Sequence, residues 1–226
     1  MSSPRYQEMK SNIRDLRGCL LPEVFDPTGN YPDLGKVSTL ALSFRVLSHA
    51  EIESYIEDMA IAATETAWKA WDRYGVVTRT ALSLLAFCGA EMSLPPETLQ
   101  PKQNNQEKTW KERIDVGAKL RGAIKSYNNY VKRKNHGIKE ENILSILLPI
   151  GVRPEEINQT LLIDLNSFGE SRGLAAHTNS KRAQQGVDPK SELDKVLAIL
   201  DSLVEIDSTI ENLFKKPRKS FSKTSS

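Results

Sequence analysis

Arg172 and His177 stand five positions apart in "FGESRGLAAHTNSKR", residues 168–182, with only small and apolar residues between them. A histidine titrates near neutrality and carries protons, while an arginine clamps and neutralises an anion, so the pair suits acid–base chemistry on an anionic substrate. A second group, Arg45, His49 and Glu53, falls at i, i+4 and i+8 on one helical face. These three fit either surface pairing at i,i+4 or a second polar layer lining a cleft. They do not make a metal site, because no third convergent ligand accompanies His49 and Glu53. His136, before Gly137 in a turn-like stretch, reads as a loop residue.

The helix that must carry Arg172 sets its surroundings. Leu161, Leu165, Phe168 and Arg172 lie at i, i+4, i+7 and i+11, near one face, so the arginine continues an apolar stripe. A guanidinium placed there must pair, line a cleft or face another chain. Five residues turn a helix through about 140° and advance it roughly 7.5 Å, so Arg172 and His177 do not share a face. Two copies related by a twofold axis would bring both pairs into one cleft.

The other elements follow from periodicity. Val37, Leu40, Ala41, Phe44, Leu47, Ile52, Tyr55, Ile56, Met59 and Ala63 predict a long first helix with Ser38 as N-cap. A short helix over residues 5–20 precedes it, and "PEVFDPTGNYPD" connects the two irregularly. Residues 78–92 read as an apolar helix, and "LPPETLQPKQNN" as a long loop. A charged helix over 107–134 holds nine Lys or Arg against three acids. Short helices follow over 139–148 and from Pro154, then the segment 155–177. Asp188 as N-cap and Pro189 at the first position open a last helix striped by Leu193, Val196, Leu197, Leu200, Leu203, Val204, Ile210 and Leu213. "GVVT" at 75–78 is the only β-leaning tetrad. The expectation is an all-α bundle of long antiparallel helices with short extras, divided into an N-terminal extension (1–36), a helical domain (37–214) and a basic, disordered tail (215–226).

Composition narrows the function classes. The chain has 226 residues, 39% of them hydrophobic and 27% charged, enough for one sizeable core. No stretch approaches the roughly 18 to 20 apolar residues of a membrane span, so a cytoplasmic protein with no membrane partner is expected. The net charge of +2 is uneven, because Lys215, Lys216, Arg218, Lys219 and Lys223 contribute +5 and residues 1–214 therefore carry −3. Cys19 and Cys88 are read as small buried thiols, since neither has a CxxC partner. Phosphate-loop, dinucleotide-binding and nucleophile-elbow motifs are absent, which sets aside kinase, NTPase and serine-hydrolase chemistry. Within 107–134, Lys119, Arg121 and Lys125 form a candidate electrostatic track for RNA, with Trp110, Tyr127 or Tyr130 available for stacking. The competing reading turns those aromatics inward and leaves the lysines solvated.

The order of segments resembles a known family. "FRVLSHAEIESYIEDM", "NHGIKEENILSILLPIGV", the R-x4-H motif in "ESRGLAAHT" and "VDPKSELDKVLAIL" together look like the HEPN superfamily (higher eukaryotes and prokaryotes nucleotide-binding), in particular its RiboL-PSP-HEPN branch, over about residues 37–213. The resemblance implies an all-α, homodimeric bundle and a metal-independent endoribonuclease, without cofactor, used as a toxin or phage-defence effector. Arg172 and His177 take the family's catalytic positions. Ser171, Thr178 and Asn179 are candidate RNA contacts, and an antitoxin or defence-system protein is a candidate partner. Members of the family usually place a polar residue, often asparagine, directly after the arginine; Gly173 stands there in this chain.

Overall fold

In a computed structural model, the described residues are 2–88, 115–177 and 187–215, with backbone alone from 174 to 177. They form seven α-helices and no strand. The long proline-rich loop, Trp110, Thr178, Asn179 and the basic tail beyond Lys215 lie outside them. No helix among the described residues is long and apolar enough to cross a membrane.

The spine is α2, Leu34–Tyr74, whose 41 residues extend for about 62 Å at 1.5 Å per residue. It begins a turn earlier than its stripe predicts. Asp33, not Ser38, is the N-cap, its carboxylate accepting from the Lys36 N–H at 2.9 Å, and Ser38 sits buried inside the helix. It also continues well past Ala63, because Ala67, Trp68 and Trp71 pack against the neighbouring helices. Gly75 ends it in the left-handed conformation at φ +60°, which an L side chain rarely adopts. "GVVT" is thus a helix stop and a cap: Thr78 accepts from the Ala81 N–H to open α3, Arg79–Phe87.

Around this spine stand α1 (Pro4–Leu20), α4 (Val116–Lys134), α5 (Glu140–Leu147), α6 (Gln159–His177) and α7 (Pro189–Phe214). Pro154 opens only a single 3-10 turn, Pro154–Glu156, and the following long helix starts at Gln159. Asp188 and Pro189 start α7 as their types predict, Asp188 accepting from the Ser191 N–H at 2.7 Å. Contacts across the bundle fix the directions. Arg5 meets Asp58 and Asn12 meets Glu51, so α1 runs antiparallel to α2. His49 meets Phe168 and Arg45 reaches Ser171, so α6 is antiparallel to α2 as well. The pairs Arg45–Glu192 and Tyr55–Asp207 make α7 parallel to α2, as follows when both flank α6.

Phe44, Tyr55, Ile56, Ile146, Leu165, Phe168 and Leu200 belong to one apolar cluster. Tyr6, Met9 and Ile13 of the first 36 residues belong to it too. The Asp207 carboxylate, wholly buried, ties that first helix down: it accepts from the Ser3 N–H (2.6 Å), the Ser3 hydroxyl (2.5 Å) and the Tyr55 hydroxyl (2.8 Å).

Two readings are corrected by position within the bundle. Cys19 and Cys88 are exposed, the first in the last turn of α1 and the second at the C-cap of α3, where neighbours are few. Leu47, Leu197 and Val204 belong to the apolar stripes yet are 44%, 44% and 38% exposed, because the faces they occupy meet no other described helix. Of the two readings of the charged helix, the one with the aromatics inward holds at Tyr127 and Tyr130: Tyr127 is buried and donates to the Ile146 carbonyl at 2.7 Å, and Tyr130 packs half-buried against the core.

Candidate functional site

On α2, Arg45 faces α6 and α7, His49 faces α6, and Glu53 stands a turn beyond His49. Arg45 sits half-buried and grips Glu192 of α7 with two nitrogens, Nε to Oε2 at 2.7 Å and a terminal nitrogen to Oε1 at 2.8 Å. Lys195 donates to the same Oε1 at 2.9 Å. Glu192 is 1% exposed, so burial pushes its carboxyl up, but hydrogen bonds and charge from Arg45 and Lys195 outweigh that and hold it below the usual carboxylate range. The second terminal nitrogen of Arg45 reaches the Ser171 carbonyl at 3.4 Å. One ion pair thus braces the turn of α6 that carries Arg172.

His49 is 2% exposed and stacks on Phe168, ring centroids 6.1 Å apart. Its Nδ1 lies 3.5 Å from the Glu53 carboxylate. Burial first, and then the nearby Arg172 charge, push its pKa down from 6.5 to about 4. The imidazole is therefore neutral at neutral pH, and too enclosed to touch a substrate. His49 does meet Glu53 at i,i+4, but at a buried position and not as a partly exposed surface histidine.

Arg172 continues the stripe of Leu161, Leu165 and Phe168, all buried, and is itself half-buried. Among the described residues no carboxylate pairs with it, whereas Arg45 and Lys195 share the Glu192 carboxylate. The Arg172 charge lowers the pKa of the enclosed His49 nearby. His177 is the last residue of α6, five beyond Arg172, and its side chain lies outside the described residues. Ser171 donates its hydroxyl to the Ser167 carbonyl at 2.9 Å, one turn earlier in its own helix. No group of three or more His, Cys, Asp or Glu side chains among the described residues is placed to hold a metal ion.

One residue of this site escapes a motif search. Glu192 lies on the stripe of Val196, Leu200 and Leu203, and a carboxylate on an apolar stripe carries the same demand for a partner as Arg172 does. Its partner, 147 positions earlier in the chain, has no local signal. The other candidates lie elsewhere. Lys119, Arg121 and Lys125 are exposed on α4, which meets α2 near Trp68, 19 residues and so about 28 Å along the helix from His49.

No protein-family model matches the chain, and no curated protein or solved structure is significantly similar to it.

Proposed function

We propose that this chain is a metal-independent endoribonuclease of the HEPN type, acting as a homodimer in which Arg172 and His177 of two copies meet in a shared cleft. The observation that carries this reading is Arg172: a half-buried guanidinium, continuous with an apolar stripe, with no carboxylate partner among the described residues while Arg45 and Lys195 share the Glu192 carboxylate. A scissile phosphate supplies the missing counter-charge. His177 of one copy takes the proton from the ribose 2′-hydroxyl as O2′ attacks phosphorus. The P–O5′ bond then breaks, and the second copy's histidine returns a proton to the departing O5′. The arginines offset the charge that builds on the phosphoryl oxygens. The products are a 2′,3′-cyclic phosphate and a 5′-hydroxyl, with no metal or cofactor consumed. A second copy suits the surface as well, since Val46, Leu47 and Leu197 expose apolar area on or beside the turns that hold Arg45 and Glu192.

The test is incubation of the purified protein with mixed RNA in EDTA, beside Arg172→Ala and His177→Ala. Cleavage by the wild type, lost in both variants, with cyclic-phosphate ends, is the expected result. Growth arrest on expression, relieved by His177→Ala, would extend the reading to a toxin or phage-defence effector held by an antitoxin or partner protein. Gly173 favours the alternative, a non-catalytic dimerisation and RNA-binding module. A side chain at that position would meet nothing within 4 Å, so Gly173→Asn is accommodated. An intact dimer that cuts no RNA, with or without that substitution, refutes the enzyme and leaves the module.

A further inference from the structure

A second cationic site stands at the far end of α2. Trp68 lies half-buried there, packed on Ile124 and on the small cluster of Ala67, Ala81 and Leu120, and the Arg121 guanidinium lies over its ring, 4.6 Å from the centroid. The two line an open groove of about 300 Å³ together with Glu65, Lys69, Ile124 and Lys125. One turn before the groove, Gly117 lets the Trp71 indole approach α4 so closely that a Cβ there would stand 2.9 Å from Nε1.

Its charge is one-sided. Over 116–134, α4 carries Lys119, Arg121, Lys125, Lys132, Arg133 and Lys134 and no acid. None of the six forms an ion pair with a carboxylate among the described residues, and the one acid of the groove, Glu65, already lies 3.9 Å from Lys69. Unpaired exposed cations beside an aromatic face fit a ligand that alternates anionic and flat π groups, which is the repeat of a single nucleic-acid strand. A folded acidic protein would match the charge but leave the indole face without a partner.

We propose that this groove binds single-stranded RNA, one base stacking on Trp68 while Arg121 and Lys125 take the flanking phosphates. Arg121 leaves the ring as the base arrives, exchanging its cation–π contact for a phosphate. The choice of RNA over DNA rests on the ribonuclease reading; the stacking site itself does not. The groove lies about 28 Å along α2 from His49, so it holds a strand at a distance from the bond being cut, adding affinity without entering the chemistry.

The experiment measures binding apart from cleavage. The full chain carrying His177→Ala is titrated in EDTA against a labelled, unstructured 12-mer RNA and followed by fluorescence anisotropy over a range of salt. Trp68→Leu is expected to weaken binding about 5- to 150-fold, the factor of one base–aromatic stack, with the salt slope unchanged. Trp68→Phe keeps most of the affinity, which separates a lost stack from a damaged fold. Arg121→Glu with Lys125→Glu weakens binding and flattens the log–log salt slope by about 1.4, for two phosphate contacts. A duplex of the same sequence, its bases hidden, binds more weakly than the single strand. Unchanged affinity in both Trp68→Leu and the double glutamate variant overturns the proposal, as does equal affinity for the duplex. If the variants lose binding but the wild type cuts no RNA, the groove stands and the ribonuclease reading falls; if cleavage is robust and the groove variants bind normally, the converse holds.

Discussion

Glu192→Gln should destabilise the fold by about 3 kcal/mol, the lower end of the range for removing one partner of a buried ion pair. The side chains of Glu192 and Arg45 are 2% and 11% exposed, so the pair is far from the surface regime of about 0 to 1 kcal/mol. The neutral amide offers Arg45 one acceptor in place of two and gives Lys195 no counter-charge. The cost stays at the lower end because Arg45 retains some solvent and its contact with the Ser171 carbonyl. For a chain of this length, roughly 2 to 4 °C per kcal/mol converts this to a fall in Tm of about 6 to 12 °C, read by circular dichroism. Because the Glu192 carboxyl is held below its ordinary value, its contribution is fully present above about pH 4.5 and is lost as pH falls through the lower folded-state pKa. The difference between wild type and variant should therefore narrow in acid. Arg45→Met combined with Glu192→Leu should recover most of the loss, since apolar replacement of a whole buried pair is often neutral. A single Gln variant that melts within about 2 °C of wild type would refute the claim that this pair braces the Arg172 turn.

His49, with its pKa near 4, binds its proton more weakly folded than unfolded, so stability should fall by up to about 1.4 kcal/mol per pH unit between pH 6.5 and 4; His49→Phe removes that slope, and the wild-type imidazole resonance should not titrate above pH 5. Asp207→Ala strands the Ser3 and Tyr55 donors and should cost about 3 kcal/mol or more, with amide exchange in α1 accelerating ahead of the rest. The Ser48 hydroxyl is buried without a hydrogen-bond partner in the described structure, so Ser48→Ala should be neutral or stabilising by about 1 kcal/mol in urea denaturation; a loss above that size would reveal an unseen partner.

Local signals were legible wherever a residue acts on its own few neighbours. Asp188 and Pro189 announced α7, and the stripe through Leu161, Leu165 and Phe168 placed Arg172 against the core, because a helical period of 3.6 needs no knowledge of the partner surface. The stripe failed at Leu47 and Leu197, since periodicity tells which residues share a face but not whether another helix covers that face. The cysteines failed for a related reason: a small thiol is buried or exposed according to where its helix ends relative to its neighbours.

From sequence alone came the all-α class, a constrained Arg172, its offset from His177, and the alignment of Arg45, His49 and Glu53. Tertiary structure alone decided that Arg172 comes near His49, that His49 is enclosed and neutral, and that Arg45 and Lys195 share Glu192 while Arg172 is left unpaired among the described residues. Those outcomes depend on distances between residues more than a hundred positions apart, and on a desolvation cost that exists only once the helices exclude water between them.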